Sequence, residues 1–178
     1  MRYLLQGEHT ARMLFREVRT TDYEDWLPFF QNPLSHQYWV ANYESPEKEC
    51  NKWYARQKQR YEEGLGGMNA LIERDSGLLV GHCGLLVQEV DGQQALEIGY
   101  SLLPQFWNKG FATEAAMHCR DIAFKKQYAD RLISIISLSN LPSQQVALKN
   151  GMHRDYQTIY RNNPVYIFRI DRETWEKL

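Results

Sequence analysis

The sequence predicts an α+β (mixed α/β) fold with a mixed sheet of about seven strands and about four helices. Three observations carry that prediction. The apolar pattern leaves its helical spacing after Gly64 for short β-rich runs, and regains it near Lys109. The elements read in the order β-α-α-β-β-β-α-β-α-β-β, so helices must cover a sheet containing strands of both directions. Finally, 178 residues suffice for one compact domain over residues 1–178 and fall short of two comfortable ones.

Residues 12–18 (RMLFREV) alternate as a first strand should. Thr21 and Glu24 have the spacing of a capping box, in which each side chain satisfies the other's amide, and a helix to about Gln31 is expected after them. An aromatic-rich connection, NPLSHQYWVANY, leads to Ser45-Pro46-Glu47. These are an N-cap, a first-turn proline and an acid for a second helix that Gly64 ends. Then MNALIER, LLVGHCGLLVQEV and ALEIGYSLL, punctuated by DSG and DGQQ, read as an antiparallel meander. A third helix from about Lys109 to Gln127 presents Phe111, Ala115, Cys119 and Ile122 on one face. The strand RLISIISL, a short helix ending at Gly151, and a hairpin of RDYQTIY and VYIFRI joined by Arg161-Asn162-Asn163-Pro164 complete the chain.

Composition excludes several classes of function. The 21 Lys+Arg and 22 Asp+Glu nearly cancel, so no global basic field recruits nucleic acid. Cys50, Cys83 and Cys119 form no CxxC pair, which favours a reducing compartment, and the five histidines lack metal-ligand spacing. No apolar run approaches the roughly 18 residues of a membrane span. The expectation is a cytoplasmic protein, monomer or homodimer, without metal, membrane or nucleic-acid partner. His82 and Cys83, in a strand between glycines, read as packing residues rather than a nucleophilic pair.

The informative stretch is LPQFWNKGFATEA, residues 103–115, where a strand runs through a glycine-containing loop into a helix. The first helical turn carries N–H groups without carbonyl partners and a partial positive charge, which suits an anion. Neither GxxxxGK[ST] nor GxGxxG is present, so nucleotide-triphosphate and dinucleotide loops do not account for it. Two readings remain from the residues alone: a phosphate cradle, or a turn made by Gly110 with Trp107 as a core plug.

Trp107-Asn108-Lys109-Gly110-Phe111-Ala112-Thr113-Glu114-Ala115 resembles the acetyl-CoA-binding segment of GNAT-type N-acetyltransferases, in the W-x-K-G-[YF]-A-T-E-A form of the ribosomal-protein N-terminal (RimJ/RimL-like) branch. Downstream, Asn140, Ser143, Lys149, Gly151 and Met152 stand in register with that branch's N-x-x-S-x-x-x-x-x-K-x-G-[FM]. The first and fourth strands are also similar, and the likeness spans about residues 10 to 172. It implies a GNAT-like, mostly antiparallel sheet and an acetyl-CoA-dependent N-acetyltransferase acting on a primary amine, either a protein N-terminus or a small molecule, by direct transfer.

The resemblance further implies that the amides of Asn108, Lys109, Gly110, Phe111, Ala112 and Thr113 hold the pyrophosphate, and that Tyr100, Ser101 and Leu102 pair with the pantetheine arm. Glu97 is the candidate general base, its other reading being an exposed strand glutamate or the orienting partner of a basic side chain. The slot of the family's usual tyrosine acid is Ala147, so the proton for the thiolate falls to Ser143, whose other reading is a helix-capping hydroxyl. Asn140 is expected to bind the cofactor arm or fix the strand end. Tyr38 and Trp39 are candidate acceptor-pocket walls, while Trp26, Phe29 and Phe30 read as core. The alternative reading is a non-catalytic acyl-CoA-binding or regulatory module of the same fold.

Overall fold

The computed structural model describes residues 3–39 and 42–178; Met1 and Arg2, and Val40 and Ala41 of the aromatic-rich connection, lie outside the described residues. One seven-stranded sheet runs through the molecule in the order β1 (Met13–Glu17), β2 (Gly66–Glu73), β3 (Leu79–Val90), β4 (Gln93–Leu102), β5 (Arg131–Ser137), β7 (Asn163–Asp171), β6 (His153–Tyr160). Every neighbouring pair is antiparallel except β4 and β5. The helices are α1 (Tyr23–Gln31), α2 (Pro33–His36), α3 (Pro46–Glu62), α4 (Phe111–Lys125), α5 (Leu141–Lys149) and α6 (Arg172–Trp175). None among the described residues is long and apolar enough to cross a membrane.

Alternation along the strands assigns the helices to faces. His82 and Cys83 are neighbours on β3 and must point oppositely. His82 packs its ring against Trp26 of α1 and Trp53 of α3, whereas the Cys83 sulfur lies 3.5 Å from that of Cys119 in α4. Hence α1 and α3 cover one face and α4 the other. Phe15 and Arg16 on β1 repeat the division, Phe15 meeting His118 of α4 and Arg16 pairing with Asp22 ahead of α1. Phe111, Ala115, Cys119, Ala123 and Phe124 bury the α4 stripe against the sheet, with small residues letting the helix lie close. Trp26, Phe29 and Phe30 form core on the opposite side, as expected.

Several local expectations are corrected. The Thr21–Glu24 capping box does not form; Thr20–Asp22 make a 3-10 turn instead. The buried Asp22 carboxylate accepts the Arg19 amide at 2.9 Å and both terminal nitrogens of Arg16 at 2.8 and 2.7 Å, a charge-assisted fork that outweighs a hydroxyl–amide contact. The third helix begins at Phe111 rather than Lys109, because Asn108 (φ 59°) and Gly110 (φ 83°) occupy the left-handed region and cannot be helical. The four-residue connection expected between the last strands is a two-residue turn, Arg161-Asn162 (φ 49° and 62°). That mirror-image turn matches strand twist, so β7 starts at Asn163. The Asp91-Gly92 turn (φ 50° and 76°) does the same between β3 and β4, and Ser45 caps α3 as predicted.

Candidate active site

The parallel pair β4–β5 is joined only at Leu96/Leu132 and Glu97/Ile133. Beyond those residues the strands part. The Ser134 hydroxyl donates to the Ile98 carbonyl at 2.8 Å and spans the gap where the backbone ladder stops. A cleft of about 450 Å³ opens along the split, toward the ends of both strands. From those ends β4 leads into the Gly110 loop and α4, and β5 leads into α5.

At the loop, the Trp107 indole donates to the Leu102 carbonyl at 2.8 Å. Trp107 therefore pins the loop to the strand end and packs against the core, in line with the plug reading. Among the described residues, no amide of residues 108–113 donates to a protein acceptor, as expected for a left-handed entry into a helix. Asn108, Lys109 and Gly110 are solvent-exposed. The loop has a brace that sequence reasoning missed. Arg12 donates to the Lys109 carbonyl at 2.9 Å, pairs with Glu114 at 2.6 Å and lays its guanidinium 4.1 Å from the centre of the Phe111 ring. Arg12 and Glu114 are 102 positions apart, so no local pattern announces them.

Residue parity on β4 divides the candidate residues between the two sheet faces. Tyr100 pairs with Cys83 and so points toward α4 and α5, where its hydroxyl donates to the Ser143 carbonyl at 2.8 Å. Burial pushes the Tyr100 phenol well above its usual range. Asn140 caps α5 by accepting the Ser143 amide at 3.1 Å, and both residues line the cleft. Glu97 and Ser101 have the opposite parity and face the α1/α3 side. Tyr100 and Ser101 line the cleft; Leu102 is buried, its carbonyl taken by Trp107, and Ile98 and Gly99 line the cleft in its place.

Glu97 touches the cleft but is otherwise surrounded by protein. Its carboxylate accepts from the Gln88 amide at 2.7 Å and from the Ile135 N–H, and Gln88 in turn accepts from the Tyr160 hydroxyl at 3.1 Å. Burial pushes the Glu97 carboxyl up, and those hydrogen bonds with the Arg60 and Arg161 charges offset only part of the rise. Gln88 was within reach of sequence reasoning. The Asp91-Gly92 turn sets Val90 opposite Gln93, Gln88 opposite Ala95 and Leu86 opposite Glu97, which leaves Gln88 and Glu97 diagonal neighbours on one face. Tyr160, Arg56 and Arg161 also line the cleft, and their meeting is tertiary. Tyr38 and Trp39 do line it.

A family model described as the acetyltransferase (GNAT) domain matches residues 12–153 of this chain. The chain belongs to the GNAT acetyltransferase family. It is similar to the uncharacterised N-acetyltransferase YnaD of Bacillus subtilis (strain 168), 27% identical over 148 residues that cover 82% of each chain. A crystal structure of an acetyltransferase from Agrobacterium tumefaciens str. C58 superposes with a TM-score of 0.78 at 20% identity, covering 93% of this chain and 94% of that one. RimL, a ribosomal L7/L12 α-N-protein acetyltransferase solved with coenzyme A, superposes with a TM-score of 0.73 at 12% identity, covering 93% and 97%. At these identities the two structures carry the fold of this N-acetyltransferase, including its mostly antiparallel sheet.

Proposed function

We propose that the acetyltransferase moves the acetyl group of acetyl-CoA to a primary amine by direct attack within the β4–β5 split. The observation that carries this reading is the coincidence of three features: strands that part after Glu97, a cleft opened along that split, and a glycine-led helix start with free amides in the loop that follows β4. The amides of residues 108–113 and the α4 dipole hold the diphosphate, and Arg12 keeps their loop in shape. The free strand edge at Gly99 to Ser101 pairs with the pantetheine arm as a neighbouring strand would, which directs the thioester into the plane of the sheet.

The opposed faces then give the chemistry a direction. The amine arrives from the α3 side and passes its proton to Glu97, whose raised pKa brings it toward that of the group it must deprotonate. The amine nitrogen bonds to the thioester carbon, and the oxygen gathers charge that a backbone N–H at the split stabilises by about 3 kcal/mol, as similar donors do in other acyl transfers. The carbon–sulfur bond breaks and the thiolate takes a proton from the Ser143 hydroxyl at the start of α5, on the opposite side; the second proton of the attacking nitrogen passes through cleft water to restore that hydroxyl, and Glu97 releases its own proton to solvent. Base and acid thus act from separate faces and do not neutralise each other. Coenzyme A and the N-acetylated amine leave.

The test is thiol release from acetyl-CoA across peptides, amino acids and polyamines, with mass detection of the acetylated product. Thiol equal to product supports the reading. Coenzyme A that raises thermal stability by about 2.7 kcal/mol at one hundred times its dissociation constant, with no amine acetylated, would instead assign a non-catalytic CoA-binding module.

A further inference from the structure

The acceptor side of the cleft is unusually rich in cations. Arg56 on α3 and Arg161 in the β6–β7 turn both line it, and both are open to solvent at its mouth. Among the described residues neither has a carboxylate partner, although Arg12, Arg131, Arg169 and Arg172 each hold one within 3.0 Å. The two charges oppose each other: burial pushes the Arg56 guanidinium down, and Arg161 pushes it further. Arg60, one turn along α3, is buried, gives one nitrogen to the Leu65 and Val87 carbonyls at 2.7 Å, and leaves its Nε without a partner. Glu97 is the carboxylate that faces Arg60 and Arg161, and Glu49 is the one whose charge reaches Arg56.

Backbone geometry holds the cluster in place. Arg161 sits at φ 49°, a conformation that costs an ordinary residue about 1 kcal/mol, between the paired ends Tyr160 and Asn163. A cationic side chain fixed by an unfavourable turn, beside a second cation and opposite an open cleft, has no carboxylate in ion-pair contact among the described residues. Guanidinium forks match a carboxylate in two-point fashion, and the same positive field would repel a polyamine and favour the uncharged form of an arriving amine.

We infer that the acceptor is a primary amine carrying a carboxylate a few bonds from its nitrogen, clamped by Arg56 and Arg161 while the amine reaches Glu97. This rests on the transfer reading above and names its substrate class. The chemistry is shared by small amino acids and by peptides whose first side chain is acidic.

Specificity constants from thiol release decide it, with β-alanine against β-alaninamide, a tripeptide amide beginning with aspartate against the same peptide beginning with asparagine, and spermidine. At least one acid should exceed its amide about tenfold, and the pair that does so identifies the source. In the double variant Arg56→Met, Arg161→Met that ratio should fall to about one while the dissociation constant of coenzyme A stays unchanged. Ratios near one in the unaltered protein, spermidine as the best acceptor, or a double variant that slows acid and amide in parallel would each overturn the clamp. If no amine releases thiol, the transfer reading fails and the clamp is judged by binding to the CoA-loaded protein. Binding of an acid that the double variant loses supports it, and equal binding by both proteins overturns it.

Discussion

Lowering the pH from 7 to 5 should destabilise this acetyltransferase, chiefly through His82. The ring is fully buried, stands 4.2 Å from Trp26 and 4.5 Å from Trp53, and among the described residues has no partner for either nitrogen. Burial holds its pKa at about 3, against 6.5 for the free side chain, with Asp22 too weak to restore it. A base depressed in the folded state stabilises fully above its unfolded pKa. That stability is lost as pH falls from 6.5 toward 3, because the unfolded chain binds the proton first. Between pH 7 and pH 5 the two values give a loss of about 2 kcal/mol, and by pH 4 about 3 kcal/mol. His118, also lowered by burial, adds to the same trend, so the His82 share must be isolated by difference. Urea unfolding of the native protein and of His82→Leu, at pH 7 and pH 5, does so. The variant removes two unpartnered polar atoms at similar volume and should be at least as stable at pH 7, with a pH slope smaller by about 2 kcal/mol. Equal slopes would refute the desolvated, neutral histidine and with it the packing of α1 and α3 on that face.

Other expectations concern the cleft. Arg12→Ala should raise the dissociation constant of coenzyme A about five- to tenfold and cost no more than about 1 kcal/mol of stability, since its ion pair is partly exposed; unchanged affinity in calorimetry would remove it as the loop's brace. Ser143→Ala should cut turnover about a hundredfold at constant CoA affinity, and unaltered turnover would remove Ser143 as the acid. Glu97→Gln should abolish an acidic limb in the pH–rate profile that lies above the ordinary carboxylate range, whereas an identical profile would count against the base. Arg161→Gly should relieve the left-handed turn and stabilise the fold by about 0.5 kcal/mol while weakening the preference for carboxylate-bearing amines; a loss of stability would contradict the turn's strain.

Much of this was legible from short-range pattern. The switch between helical and alternating spacing located all seven strands, and Asp91-Gly92 fixed the β3–β4 register that carries Glu97. The glycine-led start of α4 is likewise local, whereas the cap of α5 is Asn140, accepting the Ser143 amide, and not the Ser143 hydroxyl that the sequence suggested. What escaped is set by distant partners. Asp22 abandons the Thr21–Glu24 cap for Arg16, and Arg12 reaches Glu114 and Lys109 across the sheet. Arg56 and Arg161 meet only once α3 and the last hairpin are packed on either side of the split. Local sequence brings a helix start to within a few residues, but which carboxylate a given arginine finds, or lacks, is decided by the assembled core.

The central claim is that the main-chain amides around Gly110 hold the diphosphate of coenzyme A. Amide hydrogen exchange of the protein with and without saturating coenzyme A tests it directly. Exchange at residues 108–113 is expected to slow markedly on binding; coenzyme A that binds while these amides exchange at their free rates would rule the cradle out.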